Sequence, residues 1–91
     1  MILYFYLETF KYGTRGENIC PSGYSYVTTI DDCKSAAEVL GTNYRWDNDD
    51  SDIPKGCYWS SDFLYFNIHA SGSESSSRKL VCKQGMVFSL Y

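Results

Sequence analysis

Basic charge is scarce in this chain: eight Lys and Arg stand against eleven Asp and Glu, giving a net charge of −3 and a pI near 4.9. Nowhere do more than two cations adjoin. A nucleic-acid binder needs a concentrated basic surface, so that class is excluded. Histidine is scarcer still, with His69 alone. Any Ser-His-Asp or Cys-His arrangement would have to centre on it. No Gly-x-Ser-x-Gly elbow accompanies the serines at Ser71, Ser73 and Ser75–Ser77. His69 therefore reads as the polar end of a strand, bonded locally near a turn. The acids cluster in hydrophilic runs, which argues against a glycosidase pair with one acid in an apolar pocket. Gly13-Thr14-Arg15-Gly16 lacks the Lys-Ser/Thr ending of a phosphate-binding loop. There is no Asn-x-Ser/Thr sequon. No catalytic activity and no cofactor are expected.

Long apolar runs are also missing. Met1–Leu7 is apolar but short, and Glu8 follows directly. Seven residues are far too few to span a bilayer, and no basic segment or small-residue cleavage site marks a secretory signal. We expect a processed piece of something larger, with Met1–Phe10 as a strand.

Close cysteine pairs are absent too. Cys20, Cys33, Cys57 and Cys82 lie 13, 24 and 25 residues apart. Zinc ribbons and dithiol redox motifs need Cys-x-x-Cys spacing. An even number of widely spaced cysteines in so short a chain reads instead as two disulfides, and hence as an oxidising compartment outside the cytosol. Four cysteines allow three connectivities, and the sequence does not choose among them. The nested arrangement, Cys33–Cys57 with Cys20–Cys82, is the expectation carried forward.

What the chain has in abundance is aromatic side chains: 18% of its 91 residues, with hydrophobic residues at 44%. That content argues for a folded domain, and the length fits only one, spanning 1–91. The clearest element is a helix over 29–41. Thr29-Ile30-Asp31-Asp32 has the form of a capping box, and Ile30, Cys33, Ala37 and Leu40 share one face. Gly41 supplies a natural end. Tyr24–Thr28, Thr42–Trp46, Gly56–Ser60, Phe63–Ile68, Leu80–Lys83 and Met86–Leu90 read as short strands. Ser61-Asp62 turns a hairpin, and Ala70–Ser77 is a polar loop. The expected fold is α+β: one helix packed on a mostly antiparallel sheet of five to seven short strands, braced by disulfides.

The residues Cys20-Pro21-Ser22-Gly23-Tyr24, Asp32-Cys33-Lys34-Ser35-Ala36-Ala37-Glu38-Val39-Leu40-Gly41 and Pro54-Lys55-Gly56-Cys57-Tyr58 follow in order. The run Leu64–Ser73 (LYFNIHASGS) and Val81-Cys82-Lys83 complete the pattern. It resembles a small cysteine-rich module that recurs, often in tandem, in secreted or extracytosolic proteins of marine microalgae and other protists. The resemblance covers 20–83 and implies an extracytosolic setting but no biochemical activity. It leaves 1–18 and 84–91 as an N-terminal strand or extension and a C-terminal strand particular to this chain. In layout the chain is also similar to apple or PAN modules, in which a disulfide ties a helix to a sheet strand. Ala36 and Ala37 stand near the place of that family's second helix cysteine.

Asp47-Asn48-Asp49-Asp50-Ser51-Asp52 offers oxygen ligands suited to calcium, but an EF-hand counted from Asp47 would need Gly at Asp52 and Glu at Tyr58. A solvated acidic loop is expected, and no metal site. The aromatics point to binding instead. The apolar ends, with Ile2, Tyr4, Tyr6, Phe10, Val87 and Tyr91, are candidate contacts to other protein subunits. The expected function is a non-catalytic binding or assembly module, an accessory subunit in a larger algal extracytosolic or thylakoid-lumen complex. The alternative is a lectin-like module that stacks carbohydrate on Trp46, Tyr58 and Trp59.

Overall fold

A computed structural model describes residues 4–7, 9–85 and 87–90. Chain order runs β1 (Tyr4–Leu7), β2 (Phe10–Tyr12), β3 (Tyr24–Tyr26), α1 (Ile30–Leu40), β4 (Asn43–Asn48), β5 (Gly56–Ser60), β6 (Phe63–Asn67), β7 (Lys79–Gln84) and β8 (Val87–Leu90). Six strands form one sheet in the order β2-β7-β5-β6-β4, with β3 also paired to β7. All its pairings are antiparallel except β4 with β6. One helix on a mixed, mainly antiparallel sheet is the α+β domain the sequence predicts.

Helix α1 begins where its chemistry says it should. Thr29 is extended, and its hydroxyl accepts the Asp32 amide at 3.1 Å. Asp31 and Asp32 face the positive end of the helix dipole. Gly41 closes the helix in the left-handed region, and its amide donates back to Glu38. The face carrying Cys33, Ala36 and Ala37 is buried. Small side chains there let the helix lie close on Phe10, Cys57, Leu64, Phe66 and Val81 of the sheet. Fully burying a side chain such as Leu64 contributes about 1.5–3 kcal/mol.

Two disulfides lock this arrangement in the nested pattern. Cys33–Cys57 ties α1 to β5 with Cα atoms 5.4 Å apart, and Cys20–Cys82 ties the loop before β3 to β7 at 5.8 Å. No cysteine among the described residues is free. Two disulfides in so small a domain are compatible with an oxidising environment.

The N-terminal stretch differs from the single strand expected over 1–10. It forms two strands, with Thr9 between β1 and β2, and β2 continues to Tyr12. The registers explain the break. Leu7 pairs Val87 and Phe10 pairs Lys83, so the two ladders are offset by one residue. Thr9 bridges the offset: its carbonyl accepts the Gln84 amide at 2.9 Å and its hydroxyl bonds the Gln84 side chain. Beyond it β1 and β8 make a separate two-stranded sheet. The Cα trace is accordingly elongated, 50 × 24 × 20 Å.

Candidate functional site

Alternation along the strands sorts the aromatics onto two faces. Cys57 and Trp59 of β5 point toward α1, so Tyr58 between them points away. Tyr58 stands opposite Tyr65 of β6 and stacks on it, with ring centroids 5.4 Å apart and planes at 18°. Trp46 meets the other side of this group edge-on, 5.3 Å from Tyr65. Trp59 instead contacts Tyr12 at 6.4 Å on the helix side. The structure therefore brings Trp46 together with Tyr65 and Tyr58, and it separates Trp59 from them. Trp46 is 53% exposed, whereas Tyr58 is buried at 3%. The three aromatics expected to form one carbohydrate platform do not share a face.

The cations are distributed over these rings. Arg45 lies 4.8 Å from the Trp46 centroid and 4.4 Å from Phe63, and Arg15 and Lys79 lie 5.2 and 4.4 Å from Trp59. Lys11 sits over Tyr24, Lys34 over Tyr44 and Lys55 over Tyr26. Six of the eight Lys and Arg thus engage aromatic faces. Each such contact contributes about 0.5–1 kcal/mol at an exposed site. The remaining two, Lys83 and Arg78, hold Asp32 at 3.1 Å and the Ser75 hydroxyl at 2.9 Å.

Burial raises the pKa of three tyrosines and so holds them in the neutral form. Tyr58 is pushed up mainly by desolvation, partly offset by the Asn48 amide that donates to its hydroxyl at 2.8 Å. Tyr12 and Tyr44 are raised first by burial and then by the nearby carboxylates of Asp62 and Asp47.

His69 builds a turn. Its Nδ1 accepts the amides of Ser71 at 3.2 Å and Gly72 at 3.3 Å. The proton of the neutral ring therefore sits on Nε2. The acidic loop is also tied into the backbone: the Asp50 carboxylate accepts the Asp52 amide at 2.8 Å. No three His, Cys, Asp or Glu side chains converge on a metal position among the described residues.

Asn67, which the sequence does not single out, organises this end of the sheet. It is 1% exposed, and its Nδ2 donates to the carbonyls of Asp50, Ile53 and Pro54. Its Oδ1 accepts the amides of Asp50 and His69. An Asn inside the apolar run Phe63–Ile68 was the available signal, since a buried amide persists only when satisfied.

Of the residues expected to meet partners, Tyr4 and Tyr6 lie in β1 and Val87 in β8, while Ile2 and Tyr91 fall outside the described residues. Phe10 is corrected: it is 6% exposed and belongs to the core under α1. Pairing of Phe10 with Lys83 of β7 places it on the helix-covered face, where a partner cannot reach it.

No protein-family model, curated protein or solved structure matches this chain. No helix among the described residues is long and apolar enough to cross a membrane.

Proposed function

We propose that this chain is a non-catalytic, disulfide-braced module that binds other protein subunits, and that the β1–β8 arm is its point of attachment. One observation carries the reading: among the described residues β1 and β8 pair only with each other, as a two-stranded sheet apart from the main one. Their sequences, Tyr-Phe-Tyr-Leu and Val-Phe-Ser-Leu, contain no charge. An isolated two-stranded ribbon is marginal in water, and uncharged edges of this composition are the kind that proteins normally block with Lys, Pro or bulges. A partner strand or apolar surface laid on the arm would complete the sheet.

The engagement of His69 Nδ1 in a turn and the pairing of all four cysteines support the non-catalytic part. The motif order over 20–83 supports kinship with the extracytosolic modules of microalgae and protists, and with it an accessory subunit at the cell surface, in secretion or in the thylakoid lumen. A carbohydrate-binding reading rests on half-exposed Trp46 alone. Arg45 covers one of its faces, and Trp59 lies across the sheet.

Charging the arm tests the proposal. The double variant Phe5→Glu, Phe88→Glu should detach the chain from its native assembly while leaving the thermal midpoint of the disulfide-braced body within a few degrees of the parent. An assembly that retains the charged variant contradicts the attachment point. Saturable binding to a glycan array that Trp46→Ala abolishes would favour the carbohydrate reading instead.

A further inference from the structure

A groove of about 300 Å³ opens beside Asn67, lined by Tyr26–Thr28, Lys55, Gly56 and Phe66–His69. Its base is apolar: Val27 is 1% exposed and Phe66 8%, while Ile68 stands 54% exposed at the rim. Charge sets it apart. Two further surface cavities carry carboxylates, Glu17 and Glu74 in one and Asp32 in the other. This groove has no acid in its lining, on a protein with eleven acids and a net charge of −3. Its one charged side chain is Lys55, whose ammonium is held 4.6 Å over the ring of Tyr26, itself part of the wall.

The walls are rigid for identifiable reasons. Gly56 sits where an added Cβ would come within 2.7 Å of the Val27 carbonyl, so β5 presses directly on the segment after β3. Gly72 packs against the backbone of Ile53 and Lys55, where a Cβ would meet Lys55 N at 2.5 Å. Ser73 fixes the same loop by donating to the Ile53 carbonyl at 2.8 Å. Asn67 ties the same segment to the end of β6 by donating to the carbonyls of Ile53 and Pro54. His69, with Nδ1 occupied by the turn, keeps Nε2–H as its remaining donor.

We infer that this groove binds a small carboxylic acid with an aromatic or branched apolar body. The carboxylate meets the Lys55 ammonium with His69 as second donor, and the body lies on Phe66 and Ile68. A single cation above an apolar floor suits a monoanion better than a phosphate, which recruits several cations or a nest of amides. The site is independent of the β1–β8 arm, and neither stands or falls with the other.

The test uses the oxidised full chain, labelled for amide NMR, titrated with phenylacetate and separately with phenylacetamide. Phenylacetate should shift the amides of Lys55, Gly56 and Phe66–His69 with a dissociation constant on the order of 1 mM. Phenylacetamide should bind about tenfold more weakly, the loss of one charge-assisted hydrogen bond. Lys55→Gln should weaken the acid by a similar factor and leave the amide unchanged. Ile68→Ser should weaken both ligands alike. Equal binding of acid and amide to the parent chain, or no shift of these amides with phenylacetate, would overturn the assignment. The parent-chain comparison decides the matter even if a variant folds poorly.

Discussion

At Asn67 five hydrogen bonds converge on one side chain that is 1% exposed. They fasten the loop holding Asp50, Ile53 and Pro54 to the end of β6, and His69 to its turn. Asn67→Ala would remove the donor to the buried Pro54 carbonyl and the acceptor of the Asp50 and His69 amides, so it should destabilise the fold by about 2–4 kcal/mol. A fall in the urea midpoint at unchanged slope would check this. Asn67→Asp should cost more, because a carboxylate would then face carbonyl oxygens. The tyrosines set a second residue-scale expectation. Tyr12, Tyr44 and Tyr58 are raised above 10.0 in the folded chain. The folded state therefore holds their protons more tightly than the unfolded state, and this stability is fully present below about pH 10. It is lost as pH rises through the folded values. Urea midpoints measured from pH 8 to 11 should be flat at first and then fall; a midpoint that climbs above pH 10 contradicts the burial described.

Among the elements, the β5–β6 hairpin depends most on its turn. Ser61 and Asp62 both adopt positive φ, 50° and 72°. Two such residues make the tight connection whose twist suits a hairpin, and it favours Asn-Gly. Asp62→Gly should therefore stabilise the chain by about 0.5–1 kcal/mol, read as a higher thermal midpoint. Thr29→Ala should do the reverse by about 1 kcal/mol, through loss of the cap on the Asp32 amide. Both features were legible in the sequence, because caps and two-residue turns are written in adjacent residues. The helix bounds and the hairpin followed from such local signals. The break at Thr9 and the parallel pairing of β4 with β6 did not. Both depend on which distant strand supplies the hydrogen bonds, and Met1–Phe10 has no Gly or Pro to mark an interruption. The same limit hid the site. Trp46, Tyr58 and Trp59 are close in sequence, yet strand alternation sends Tyr58 and Trp59 to opposite faces. Lys55 and His69 meet at one groove only after β5 and β6 pair.

On the scale of the whole molecule, disulfides and a thin core share the task of holding the sheet. Cys20–Cys82 and Cys33–Cys57 close separations of 62 and 24 residues. On the chain-entropy argument each contributes roughly 3.5–4 kcal/mol, a large share for a domain of this size. Intact mass should show alkylation of the cysteines only after reduction, and the reduced chain should lose its cooperative thermal transition. Four thiols that alkylate without reduction would contradict the braces. With the body locked in this way, the β1–β8 ribbon stands as a separate two-stranded sheet, and it is the surface through which we propose partners bind. Hydrogen exchange on the chain isolated in its native assembly, compared with the chain alone, reads this attachment residue by residue. Attachment through the arm should give a particle well above 10.4 kDa in which amides 4–7 and 87–90 exchange at least about tenfold more slowly than in the free chain. A native particle of 10.4 kDa, or an assembly in which those amides exchange at the free-chain rate, would contradict it.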